Sequence, residues 1–170
     1  HMYSAVISAC QWTSYFNDQV TFASRLNKKV RINTLFRMAA PDYGCCQEDR
    51  WKDRKNQLEI VVEDSSSRPL ADSISKSRLV VSTYNATTFL ETMNLNIPTV
   101  VFWNPEHWEL REEAKGYFDE LKRVGIFHHS PESAAKHVVE IWDEVDVWWE
   151  SEAVVHARNV FCTSYSAAPI

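Results

Sequence analysis

Pro98 opens a run, Thr99-Val100-Val101-Phe102-Trp103, in which both alternate sets of side chains are predominantly apolar. Successive residues of a strand face opposite sides of a sheet, so this run is satisfied only where both faces are covered. Leu79 to Ser82 has the same character and reads as a central parallel strand. Antiparallel sheets with one wet face are disfavoured by such runs, and helices on both sides of a parallel sheet are required.

The rest of the chain supplies them. Ala5 to Ala9 reads as a strand leading into a polar loop through Gln11, Thr13 and Ser14. Val20, Ala23 and Leu26 predict a helix from Asn17 to Lys29, with Asn17 or Asp18 at its start, and Val30 to Phe36 follows as a strand. Pro41, Asp42, Tyr43 and Gly44 mark a loop, Gln47 to Gln57 is a helix or an exposed loop, and Leu58 to Val62 is a strand. Short helices are expected at Leu70 to Ser75 and Thr88 to Met93. Downstream, Leu110, Ala114, Tyr117, Phe118 and Leu121 stripe a helix from Trp108 to Arg123, and Gly125 to His128 reads as a short strand. Ser130 is an N-cap with Pro131 at the first helical position, followed by a face of Ala134, Val138, Ile141 and Val145. A last helix, Val147 to Tyr165, is expected to bury Trp149, Ala153, Ala157, Val160 and Phe161. The alternation defines an α/β, three-layer Rossmann-like domain with a mainly parallel sheet and C-terminal helices. With 170 residues, 45% of them apolar, one domain over 3–170 is expected, His1 and Met2 reading as a cloning remnant.

Composition removes several functions. Only Gly44, Gly116 and Gly125 occur, where average usage gives about a dozen. Neither a GxxxxGK[ST] loop nor a GxGxxG fingerprint fits, so any phosphate is held by other means. A net charge of −5 argues against nucleic-acid binding by counterion release, and Arg25, Lys28, Lys29 and Arg31 read as a solvated helix end. Cys10, Cys45, Cys46 and Cys162 lack metal-ligand spacing and read as reduced thiols. His128 with His129, and His137 with Glu140, are poor metal pairs. The sequence has no transmembrane run and no secretory pattern at its start, so a cytoplasmic location is expected.

Ligands of open parallel sheets bind beyond the carboxyl ends of the strands. The richest loop there is Ser82-Thr83-Tyr84-Asn85-Ala86-Thr87-Thr88, whose hydroxyls precede a helix start able to hold an anion. Thr88-Phe89-Leu90-Glu91 also fits a capping box, a purely structural role for the same residues. Arg37 closes its strand, where it either binds phosphate or pairs with Asp42 or Glu48. Asn104 to Glu109 follows the next strand and reads as a capped helix start. Trp142, Trp148 and Trp149 offer rings for a base or sugar to stack on, but read first as core and hinge residues.

The stretch Ser77-Arg78-Leu79-Val80-Val81-Ser82-Thr83-Tyr84-Asn85-Ala86-Thr87-Thr88-Phe89-Leu90-Glu91, then Asn96-Ile97-Pro98-Thr99, Trp148-Trp149 and the Ala157-Arg158 to Phe161 tail, resembles bacterial surface-carbohydrate transferases. The nearest group is a transferase family first labelled in Leptospira, similar at greater distance to the carboxyl-terminal halves of GT-B glycosyltransferases and of polyglycerol-phosphate transferases. The resemblance implies the nucleotide-sugar-donor half of such an enzyme in surface-polysaccharide biosynthesis. It implies Ser82, Thr83, Asn85, Thr87 and Thr88 for phosphate, Glu91 for ribose and Arg37 as a further phosphate partner. Metal is not required, because helix dipole and arginine can replace it, and no cofactor is expected apart from the nucleoside-diphosphate donor. A partner domain or chain would supply the acceptor half, so the isolated chain is expected to transfer nothing. The rival reading is a non-catalytic Rossmann-like assembly module with an empty donor site.

Overall fold

The computed structural model describes residues 10–38, 42, 44–63 and 67–166, and the expected Ala5 to Ala9 strand lies outside them, as do Pro41 and Tyr43. Among the described residues, β1 (Leu35–Arg37) pairs in parallel with β2 (Val61–Glu63). A second parallel sheet has the order β3-β4-β5, formed by Val80–Ser82, Thr99–Phe102 and Phe127–His128. The fold is α/β, with helices packed on both faces of this second sheet.

β4 explains the layering. Val100 and Phe102 point into a core shared with Phe22 of α1 (Trp12–Arg25), Leu26 just after it, and Ala134, Ala135 and Val138 of α7 (Pro131–Ile141). Val101 and the following Trp103 enter the opposite core, with α5 (Thr87–Asn94), α6 (Glu112–Arg123) and α9 (Glu152–Tyr165). Trp103 is that core's centre, its ring 4.6 Å from Phe127, 5.5 Å from Phe118 and 6.0 Å from Phe89. The central strand among the described residues is therefore β4. β3, expected at the centre, pairs with β4 alone and keeps Val80 and Val81 half-buried.

Helix boundaries moved for identifiable reasons. The expected loop at Thr13 and Ser14 is helical, because Trp12 and Phe16, one turn apart, stack at 5.3 Å and close a core against Trp51. That helix stops at Arg25 instead of Lys29. Asn27 Oδ1 accepts from the Val30 amide and opens a separate turn, α2 (Lys28–Arg31). Val30 is consequently a buried helical residue, and the expected Val30 to Phe36 strand contracts to β1. Residues 47–58 form helix α3 (Gln47–Leu58), whose far end places Glu59 within 3.6 Å of both Lys28 and Arg31. The short helix at Pro69 is α4 (Leu70–Ile74).

No helix begins at Trp108. Asn104 Oδ1 accepts from the Glu106 amide and the Asn104 carbonyl from His107, which makes a turn, and α6 starts at Glu112 with Leu110 outside it. Ser130 does cap α7, its Oγ accepting from the Ser133 amide at 3.2 Å. Val145 lies beyond α7, after a 3-10 turn at Trp142–Glu144, in α8 (Val145–Trp149). The expected last helix breaks at Glu150 and Ser151 and restarts, so its buried face is Val154, Ala157, Arg158 and Phe161, while Ala153 and Val160 face solvent. The Arg158 guanidinium lies 4.3 Å over the Trp149 ring. No described helix is long and apolar enough to cross a membrane.

Candidate functional site

Arg37 and Glu63 are register partners at the carboxyl ends of β1 and β2. Phe36 and Val62, one residue earlier, turn to the Trp12, Phe16 and Trp51 core, so the charged pair must face the other way. Glu63 is only 6% exposed. Its Oε2 accepts from Arg37 Nη1 at 2.8 Å and from Ser73 Oγ of α4 at 3.0 Å, while Arg68 Nε pairs with Oε1. Burial alone pushes this carboxyl up, and the hydrogen bonds from Ser73 and Arg37, with the charges of both arginines, hold it below its ordinary range. The Arg37 guanidinium also donates to the Arg68 carbonyl at 2.6 Å. Neither Asp42 nor Glu48 takes Arg37. Asp42 instead accepts from the Cys45 and Gln47 amides, and Glu48 pairs with Lys52.

The opposite bank is the loop after β3. Buried Ser82 ends the strand, and its Oγ donates to the Tyr84 carbonyl at 3.4 Å. Thr83 Oγ1 shares a 2.8 Å hydrogen bond with the Tyr15 hydroxyl of α1. Burial pushes the Tyr15 phenol up to about 12 against the opposing effect of that bond, so it stays protonated. Its ring meets Trp108 edge-on at 6.4 Å. The next helix begins at Thr87, with Ala86 as N-cap and no side-chain cap. The capping box is therefore overturned. Thr88 sits inside the first turn, where its hydroxyl is not the N-cap acceptor the box requires.

Between β1 and β3 the two sheets part around a cleft of about 810 Å³. Its carboxyl-end mouth brings together Arg37, Ser82, Thr83 and Thr88 from the sequence reading. Asn85, Thr87 and Glu91 are not among the residues lining it, and Thr87 and Glu91 face solvent. Arg68 and Tyr15 also line it, and sequence reasoning missed both. The usable signal for Glu63 was its place at the end of a β-branched run, matching Arg37 at the end of another. Nothing local marks Arg68. The cleft's described lining carries Arg37, Arg68, Lys76 and Arg78 and no carboxylate, which makes it a place for an anion.

A second polar cluster is enclosed on the far side of β4. The Gly125 carbonyl can only accept, so His128 Nε2 donates to it at 3.0 Å, and His128 Nδ1 accepts from Ser133 Oγ at 2.8 Å. Burial, opposed by the Gly125 hydrogen bond and aided by His137, whose ring is 5.3 Å away, lowers the His128 imidazole to about 4. Burial also lowers His137, against Glu140. These rings are packing elements wedged under Gly125, where a Cβ would stand 2.5 Å from His137.

Compared with known proteins, residues 1–168 match a family model described as LIC12162 family transferase. No curated protein and no solved structure matches the chain.

Proposed function

The chain belongs to the LIC12162 family of transferases, and from that premise we propose that it binds the nucleoside-diphosphate portion of a sugar donor. The observation that carries this reading is the mouth between β1 and β3, which sets cationic Arg37 and Arg68 against Thr83, Thr88 and the uncapped start of α5. Unpaired amides and the helix dipole favour a phosphate on the α5 side, and guanidinium groups favour it on the other. Thr87 and Asn85 flank the same helix start, and Ser82 supports the loop from below. Glu91, one turn along α5, takes the ribose hydroxyls. The protein's part in transfer is then to hold and neutralise the departing diphosphate, a stabilisation that needs fixed dipoles more than side-chain chemistry. The acceptor is activated by a partner domain or chain, in the setting of surface-polysaccharide synthesis.

One helix start contributes up to ~2 kcal/mol and one charged hydrogen bond ~1.5–3 kcal/mol, a sum equivalent to a dissociation constant from the millimolar range to a few hundred micromolar. Ligand-detected NMR with uridine, cytidine, guanosine and thymidine diphosphates tests the reading. One of the four is expected to bind in that range, and silence from all four would favour the assembly-module alternative.

A further inference from the structure

Arg68 is fixed at two points. Its carbonyl accepts from Arg37 Nη2 at 2.6 Å, and its Nε pairs with Glu63, which Arg37 also holds. Arg37, Glu63 and Arg68 thus form a closed ring of contacts at the carboxyl ends of β1 and β2. The Arg37 side chain is 17% exposed and that of Glu63 6%, whereas Arg68 is 43% exposed and lines the cleft mouth. The Nε of Arg68 is its closest approach to Glu63, an ion pair with Oε1 that is not a hydrogen bond. A half-exposed arginine ordinarily keeps its rotamer freedom, which an anion must remove on binding, and here backbone and Nε are already held. One guanidinium suffices to neutralise Glu63. The second leaves a surplus positive charge at a mouth whose described lining has no carboxylate.

We propose that Arg68 is the phosphate-contacting cation of this mouth, presented by Arg37 and Glu63, with Arg37 a positioning residue and not the direct ligand. The inference rests on the donor-binding reading for its ligand class, a diphosphate, and its chemistry is a two-pronged guanidinium contact to phosphate oxygens.

The test titrates the intact chain with inorganic pyrophosphate and with the four nucleoside diphosphates, following the arginine Nε–H resonances by NMR. Pyrophosphate is expected to shift the Arg68 resonance. Arg68→Gln is expected to weaken its binding about tenfold or more while the melting temperature holds, and Arg68→Lys, keeping charge without the fork, to fall between. Equal affinity of Arg68→Gln and parent overturns the inference, as does a parent that does not bind pyrophosphate. A nucleoside diphosphate that binds without needing Arg68 leaves the donor reading standing and removes Arg68 from it. Pyrophosphate binding that needs Arg68, with none of the nucleotides bound, leaves Arg68 its phosphate and removes the donor reading.

Discussion

The β3-β4-β5 sheet and the β1-β2 pair solve the same problem with different materials. Around Trp103 the first is held by rings: Phe89, Phe118, Phe127 and Phe161 all lie in one aromatic cluster, and the polar groups buried with this sheet are dispersed through it, the Thr92–Thr99 hydroxyl pair, the His128 imidazole and the Arg158 guanidinium over Trp149. At β1-β2 one face is aromatic, through Trp12, Phe16 and Trp51, but the other exposes Leu35 and Val61 and closes on the Arg37, Glu63 and Arg68 contacts. Apolar packing is non-directional and tolerates no water, so it makes a rigid platform. Charged contacts are directional and leave donors at the rim, and on the reading proposed above that rim takes the anion. The candidate mouth lies between the two.

The largest effect is expected in the aromatic half. Trp103→Ala removes a side chain in contact with four other rings and should destabilise the domain by about 3–5 kcal/mol in urea unfolding. A loss under ~1 kcal/mol would mean that β4 is not the packing centre.

Acid separates the halves by window. His128 has a folded-state value depressed to about 4 from 6.5, so the unfolded chain binds the proton first. Its contribution is complete above 6.5 and is lost as pH falls toward 4, on the order of 3 kcal/mol. Glu63 is also depressed, from 4.5, so its contribution is present above that value and disappears only below it. Hydrogen exchange across pH 7 to 4 should therefore loosen β5 and the start of α7 while β1 and β2 remain protected. Simultaneous loss in both sheets would erase the distinction.

Arg37→Ala removes the guanidinium that donates a hydrogen bond to buried Glu63 and leaves it Ser73 and the Arg68 ion pair, so a lowered melting temperature is expected, smaller than for Trp103→Ala. Glu63→Gln, Arg37→Ala together should recover part of that loss. A double mutant no more stable than Arg37→Ala would show that the charge of Glu63 is not the reason.

The smallest stability effect belongs to Glu91→Ala. Glu91 is exposed and takes no part in a cap, so its removal should change stability by under ~0.5 kcal/mol in the same urea experiment. Nucleoside-diphosphate affinity is expected to fall in the NMR titration, and an unchanged affinity would remove Glu91 from ribose binding.

Patterns whose cause is local were legible in the chain. Thr99 to Phe102 declares two covered faces by itself, and Ser130-Pro131 declares a helix start, because alternation and capping act over a few residues. Boundaries failed where a distant group competed: α1 begins early because Trp12 and Phe16 meet Trp51, and the Thr88 box failed because the chain entered α5 at Ala86. Within the site, Arg37 could be singled out as a charge ending a strand. Its true partner could not, since Glu63 is 26 residues away and only parallel register brings them face to face.

By itself, then, the sequence determined an α/β chain with a doubly covered strand, a hydroxyl-rich loop where such sheets take ligands, and no glycine cradle for phosphate. Tertiary structure decided which charges meet. The Tyr15 hydroxyl reaches Thr83 across 68 residues, and Arg68 is held on Glu63 beside Arg37. Periodicity encodes which face a residue occupies, but the identity of its neighbour on that face depends on how strands align and helices dock, and those are properties of the whole packed chain.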